Sequence, residues 1–292
     1  MSRRLGIVAL LVIATIFGSN HVAARFAIDH GTSVSAAVTV RSAVTAIFLL
    51  VLLSALEIPF SLGRRALAPT AMVGVLVAVQ SFCLYSSVAR IPVALALLVF
   101  NTYPMFFMLL SAASGKERLH SSALVAMPIA LVGLTLALDV RVGGFSGRWD
   151  EIGVGVLWAL GASVSFTMVL FFNAHWLKAM DGRLRTLLMM AVTAVVVGIA
   201  GAATGTLRLP ADQTGWIGLA LLTVLYGTAI TSLFIVLPRL GGGAASTVAM
   251  NFEPIAVIAI AWIALGQSVS PLQLLGAFVV VATIAWLGTA KR

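Results

Sequence analysis

Apolar residues run along this chain in blocks of about twenty, separated by short stretches that carry most of the charges. A helix rises about 1.5 Å per residue, so about 20 such residues cross the roughly 30 Å of hydrocarbon in a bilayer. That ruler predicts ten spans, at 5–28, 34–57, 67–89, 91–112, 121–140, 151–175, 184–206, 214–237, 243–264 and 270–289. Helix is the predicted form throughout. Backbone groups in lipid must be satisfied within their own segment, and the runs are too continuous for the alternating strands of a barrel. The expected fold class is therefore an all-α integral membrane protein of ten transmembrane helices, with short loops and no soluble domain.

Composition supports the pattern. Hydrophobic residues make up 61% of the 292, charged residues 9%, and the mean hydropathy is +1.12. Soluble domains carry about a quarter charged residues. The single cysteine, Cys83, excludes an internal disulfide and a cysteine-based metal site. The start, MSRRLGIVALLVIATIFGS, looks like a signal peptide, but its apolar run continues to Ile28 and similar segments follow, so a first span is predicted.

Charge fixes the expected orientation. With the N-terminus inside, the inner segments hold Arg3, Arg4, Arg64, Arg65, Lys116, Arg118, Lys178, Arg183, Arg185, Arg239, Lys291 and Arg292, against Arg90, Arg141, Arg148 and Arg208 outside. The asymmetry obeys the positive-inside rule and places both termini in the cytoplasm. The net charge of +9 is thus read as topology and membrane anchoring, not as a nucleic-acid footprint.

An internal repeat is also visible. A shift of 150 residues lays NTYP, Asn101 to Pro104, on NFEP, Asn251 to Pro254, and Ala126 on Gly276. A shift of 148 superposes AVTA at 43–46 on AVTA at 191–194. The halves 1–140 and 141–292 each hold five predicted spans, and five is odd, so the second half enters the membrane from the opposite side. Inverted repeats of this kind are a recurring design of secondary transporters, which open to either side of a site near the midplane.

These features, with the mid-span proline in the fourth helix of each half and the segments GKERLH and EPIAVIAIAWIALGQSVSPLQLLGAFVVVA, resemble the EamA-type members of the drug/metabolite transporter superfamily. The likeness covers essentially the whole chain and is most specific over 237–289. Within that superfamily the sequence is most similar to bacterial YddG-type exporters of aromatic amino acids. The resemblance implies export of a small organic metabolite across the bacterial inner membrane by alternating access, with an aromatic or apolar amino acid as the expected solute and no cofactor. A purine or a drug-like cation is the alternative solute. Two positions depart from the family pattern: Tyr103 stands where an acid would mirror Glu253, and Gln267 where Glu is common.

Depth along each span selects the candidate site. Asn101, Glu253, Gln80 and Tyr226 fall near the midpoints of their spans, and Asn20, His21, Arg41, Tyr85 and Trp158 lie a turn or more toward the outside. Together with Tyr103 and Asn251 they are the expected solute-binding set. Asn101 and Asn251 serve equally well as caps for carbonyls freed by Pro104 and Pro254, and Trp158 as an interfacial belt residue. Arg25, near a helix end, is expected to snorkel. Glu253 and Arg41 are harder to assign a bland role, because a mid-span charge costs at least about 2.5–3.5 kcal/mol and marks a partner or an aqueous cavity. Gly18, Gly161, Gly241, Pro104 and Pro254 are the expected hinge positions.

Other classes fit poorly. The chain has no HExxH helix, no phosphate-binding glycine loop and no GxSxG elbow, and so no enzyme motif. No filter-like loop or ring of charge suggests a channel. An intramembrane lipid-modifying enzyme is the remaining rival from another class. The expected partners are the solute and the lipid bilayer, with a monomer the plausible assembly.

Overall fold

The computed structural model of the chain describes residues 3–58, 64–115, 125, 128–130, 132–133, 135–136, 149–177, 180–236, 252–267 and 269–289. All regular structure among them is helical. The helices are α1 (Arg3–Asp29), α2 (Val34–Ala55), α3 (Arg64–Val88), α4 (Val93–Phe100), α5 (Tyr103–Ala113), α6 (Trp149–Trp176), α7 (Gly182–Ala203), α8 (Gln213–Val236), α9 (Glu253–Leu265) and α10 (Pro271–Thr289).

Among the described residues, seven segments are long and apolar enough to cross a membrane, with α4 and α5 together counting as one, and two shorter apolar helices, Ala256–Leu265 and Pro271–Thr283, lie in α9 and α10. The predicted span at 121–140 is represented by its helical residues between 125 and 136. The fold is thus a multi-helix membrane protein, as expected, and most predicted spans coincide with a helix to within a few residues.

The helix starts follow from local chemistry. Ser33 caps α2 by accepting from the Ala36 N–H, and Asp181 caps α7 by accepting from the N–H groups of Arg183 and Leu184. At the start of α10 the Ser270 hydroxyl accepts from Gln273 N–H at 3.2 Å, while the Gln273 side chain accepts from Ser270 N–H at 3.0 Å. That reciprocal pair is a capping box.

Proline governs the middle of the fourth span. A proline cannot donate to the carbonyl four residues earlier, so the helix holding Pro104 stops at Phe100, turns through Asn101 and Thr102, and restarts. α9 begins in the same way. Thr102 precedes α5 with φ −73° and ψ −8°, and Phe252 precedes α9 with φ −72° and ψ −18°. The sequence reading of one fourth span with a mid-span proline becomes two helices with a break at its centre.

Packing joins the two halves of the chain. α1 packs most extensively on α8, α3 on α6 and α2 on α7, while α1 also meets α9, α6 meets α4 and α5, and α4 meets α9. Apolar residues such as Ile47, Ile199, Ile263 and Phe278 face outward, where lipid is their solvent. With tails as apolar as leucine outside, close contact rather than water expulsion must hold helices together. Gly18 shows the device: a Cβ there would lie 2.9 Å from Val257 Cγ2, so α1 and α9 touch through a missing side chain. α4 is encased on all sides, with every residue from Leu95 to Phe100 buried.

Candidate functional site

Arg41 is the centre of the polar interior. It projects from α2 and is only 3% exposed. Its Nη1 donates to the Tyr85 hydroxyl of α3 at 3.0 Å, and Tyr85 in turn donates to Asn20 Oδ1 of α1 at 3.4 Å. Its Nη2 donates to Ser81 Oγ at 3.0 Å, and Ser81 donates to Gln80 Oε1 at 3.2 Å. Two relays therefore run outward from one guanidinium and end on two amides. The Tyr226 ring of α8 lies flat beneath the charge, with its centroid 3.9 Å from Cζ, and Tyr85 adds a second ring at 5.1 Å. Each such contact contributes about 0.5–2 kcal/mol, more when desolvated.

No carboxylate pairs with this cation among the described residues. Glu253 instead meets His21 of α1, Nε2 to Oε1 at 3.2 Å, with side chains 9% and 18% exposed. The two mid-span charges, Arg41 and Glu253, are thus not paired with each other. The two groups remain neighbours, because the His21 ring stands edge-on to Tyr85 at 6.1 Å. Several buried polar atoms here have no protein partner: Asn20 Nδ2, His21 Nδ1, Arg41 Nε and Thr45 Oγ1. Buried groups of this kind are normally satisfied, so these are available to a solute or to water.

Aromatic side chains gather beside the polar group. Phe100, Tyr103 and Phe166 form a three-ring cluster at the α4–α5 break, with centroid separations of 4.9–5.6 Å. Phe17 of α1 packs edge-on to Tyr226 at 6.1 Å. Tyr103 is within electrostatic reach of Glu253, the residue that the 150-residue shift equates with it.

The expected residues are thus only partly brought together. Asn20, His21, Arg41, Gln80, Tyr85, Tyr226 and Glu253 form one connected group. Asn101 is buried and spends its Nδ2 on the Leu97 carbonyl at 2.7 Å, which also accepts the Asn101 backbone N–H and is not the Phe100 carbonyl that Pro104 frees. Trp158 sits apart, against Phe82 at 5.9 Å and below Arg90 at 5.8 Å. Asn251 and Gly241 lie outside the described residues. Ser81, Phe17 and Phe166 are new members. Ser81 had one legible signal, its place beside Gln80 on the same polar turn; the two phenylalanines had none, since rings are common in every span.

Arg25, expected to snorkel, instead bridges. Its Nε donates to Asp29 at 2.8 Å, and its Nη1 donates to the Val88 carbonyl at 2.9 Å at the end of α3.

No curated protein is a significant match to this chain. Among solved structures, a protein known by its crystal structure is 15% identical and aligns over 100% of both chains with a TM-score of 0.70, a likeness of fold. Two stretches, residues 4–138 and 153–289, each match the EamA-like transporter family, and the chain belongs to that family.

Proposed function

We propose that this transporter exports an amino acid with an aromatic or apolar side chain, of the kind moved by YddG-type exporters, across the bacterial inner membrane by alternating access. The observation that carries the reading is Arg41: a buried guanidinium held by tyrosine, serine and a ring face, with no carboxylate partner among the described residues. A buried cation without a counter-ion is costly, and a solute carboxylate would supply one in bidentate geometry. Glu253, nearby on α9, suits the solute ammonium. Phe17, Tyr226 and the ring cluster at the α4–α5 break suit its side chain. A drug-like cation fits less well, because Arg41 would repel it.

The halves 1–140 and 141–292 act as inverted repeats in this reading. Exchanging α1 with α6, α2 with α7, α3 with α8, and the α4–α5 pair with α9 turns the main helix pairings into themselves, which supports a pseudo-two-fold relation. The protein works as a ten-span monomer with both termini in the cytoplasm.

The test is thermal stabilisation of the purified protein by L-phenylalanine, L-phenylalaninamide and N-acetyl-L-phenylalanine. L-Phenylalanine should raise the melting temperature. The amide should lose the effect for want of a carboxylate, and Arg41→Gln should lose it for want of the guanidinium. Equal stabilisation by the amide would remove Arg41 from carboxylate recognition.

A further inference from the structure

The last two turns of α6 carry four stacked rings. His175 lies on Phe171 with centroids 4.3 Å apart, Trp176 lies on Phe172 at 4.3 Å with the planes 30° apart, and Phe171 meets Phe172 edge-on at 5.7 Å. The patch opens outward at its end, where His175 is exposed and Trp176 is 52% exposed. Rings at the end of a membrane span sit at the level of the lipid headgroups, with the body in hydrocarbon and the polar edge in the interface.

A cation stands beside this patch. Leu177 turns inward into the cluster that holds Leu49, Leu53, Val73 and Leu184, so the turn after α6 is pinned to α2, α3 and α7. The Leu177 carbonyl accepts from Arg185 Nη1 at 3.3 Å, which sets the guanidinium of the first turn of α7 next to Trp176 in the chain. Arg185 is half-buried, and no carboxylate bonds it among the described residues. Asp181 is within its electrostatic reach, but Arg183 holds both of that residue's oxygens, Nε to Oδ1 at 3.2 Å and Nη2 to Oδ2 at 3.0 Å. A guanidinium has several donors to spend, and one goes to Leu177. A cation in a helix's first turn also opposes the helix dipole, so the position favours an anion as company. The stretch WLKAMDGRLR carries three basic residues against one acid, so its charge is not cancelled along the chain either.

From this juxtaposition we infer that the α6–α7 corner binds an anionic phospholipid, with its phosphodiester on Arg185 and the start of its chains along Phe172 and Trp176. A free phosphate could use the guanidinium, but only a lipid gains from the adjoining rings. Trp216 at the start of α8 supplies the contrast. It is equally exposed, at 50%, yet its turn carries Arg208 and Asp212, whose charges cancel, and Asp212 pairs with His30. In the proposed orientation the α6–α7 corner lies at the inner leaflet, where anionic lipids make the surface negative. Because α3 packs on both α6 and α7, a lipid joining the end of one to the start of the other stabilises that three-helix contact. The inference is independent of which solute is carried.

The test is thermal melting of the purified protein in an uncharged detergent with phosphatidylglycerol, with phosphatidylcholine of the same chains, or with glycerol 3-phosphate. Phosphatidylglycerol should raise the melting temperature of wild type several degrees more than phosphatidylcholine does, and glycerol 3-phosphate should leave it unchanged. Arg185→Gln should lose the difference, with phosphatidylglycerol affinity lowered severalfold, whereas Trp216→Leu should keep it. Equal effects of the two lipids on wild type, or a preference that survives Arg185→Gln, overturns the inference. Stabilisation by glycerol 3-phosphate equal to that by phosphatidylglycerol overturns it in favour of a plain anion site. Should Arg185→Gln not fold, chain-brominated lipids decide, because bromine quenches an indole on contact. The excess quenching by brominated phosphatidylglycerol over brominated phosphatidylcholine should shrink in Trp176→Phe, and an unchanged excess overturns the inference.

Discussion

Tyr85 holds Arg41 in place, and one oxygen carries the duty. That hydroxyl accepts from Arg41 and donates to Asn20 while the residue is fully buried. Tyr85→Phe removes it and leaves a buried guanidinium N–H unpaired, which costs about 1–3 kcal/mol. The melting temperature should fall by several degrees, and L-phenylalanine affinity should fall with it. Asn101→Ala should also lower stability, by about 1 kcal/mol, because its amide serves the Leu97 carbonyl. Unchanged stability with lost binding would return Asn101 to the solute site. At this scale the sequence shows which residues matter and conceals whom they meet. Arg41 and Glu253 stand out because charge is expensive in lipid. Their partners depend on how each helix is rotated about its axis, and spans that are apolar on nearly every face carry little record of that rotation.

Punctuation between elements is far more legible. Proline stops a helix through a missing N–H, which is local chemistry, so NTYP announces the break before α5 and NFEP the start of α9. Asp181 starts α7 for an equally local reason. The Arg183 side chain bonds its carboxylate, with the Arg183 backbone N–H adding to this, and the carboxyl is held below its usual value of 3.8. A depressed pKa means that the stabilisation is present at neutral pH and is lost as pH falls through the folded value. Asp181→Ala should therefore destabilise the protein by about 1 kcal/mol at pH 7, and by progressively less as the pH is lowered through the carboxylate range, in thermal melts. Glycine is where sequence underdetermines the element. Gly18 and Gly161 read alike, but a Cβ at Gly18 meets Val257 at 2.9 Å, and one at Gly161 meets only Cys83 Sγ at 3.6 Å. Gly161→Ala should be tolerated, whereas Gly18→Ala should force α1 off α9 and slow L-phenylalanine transport severalfold. Equal tolerance at both positions would show that the α1–α9 contact gives way easily.

On the scale of the whole molecule, the halves are distinguishable in the sequence through a repeat offset, but the contacts that hold them against each other are not. Arg25 is the clearest case, because a basic residue near a span's end fits snorkelling by default. It ties α1, whose main partner is α8, to the corner between α3 and α4, whose main partners lie on α6. Asp29 fixes the guanidinium from the same helix at 2.8 Å, so the bridge is anchored before it crosses. In the proposed orientation, with the N-terminus in the cytoplasm, this corner would face outside, and the encased α4 lies behind it. A charge-assisted hydrogen bond is worth about 1.5–3 kcal/mol, which sets the populations of closed and open forms apart by roughly ten- to a hundredfold. Arg25→Gln should therefore favour opening on the outer side. In a Cys83-free background carrying Ala96→Cys on α4, an impermeant thiol reagent added outside intact cells should label wild type slowly and Arg25→Gln at least several times faster. Under the same conditions a cysteine at 31 should react readily and one at 115 should not. Labelling at 115 would reverse the orientation on which the outer side is defined. Equal rates at 96 with and without Arg25 would mean that the bridge decorates a closure held by apolar packing alone.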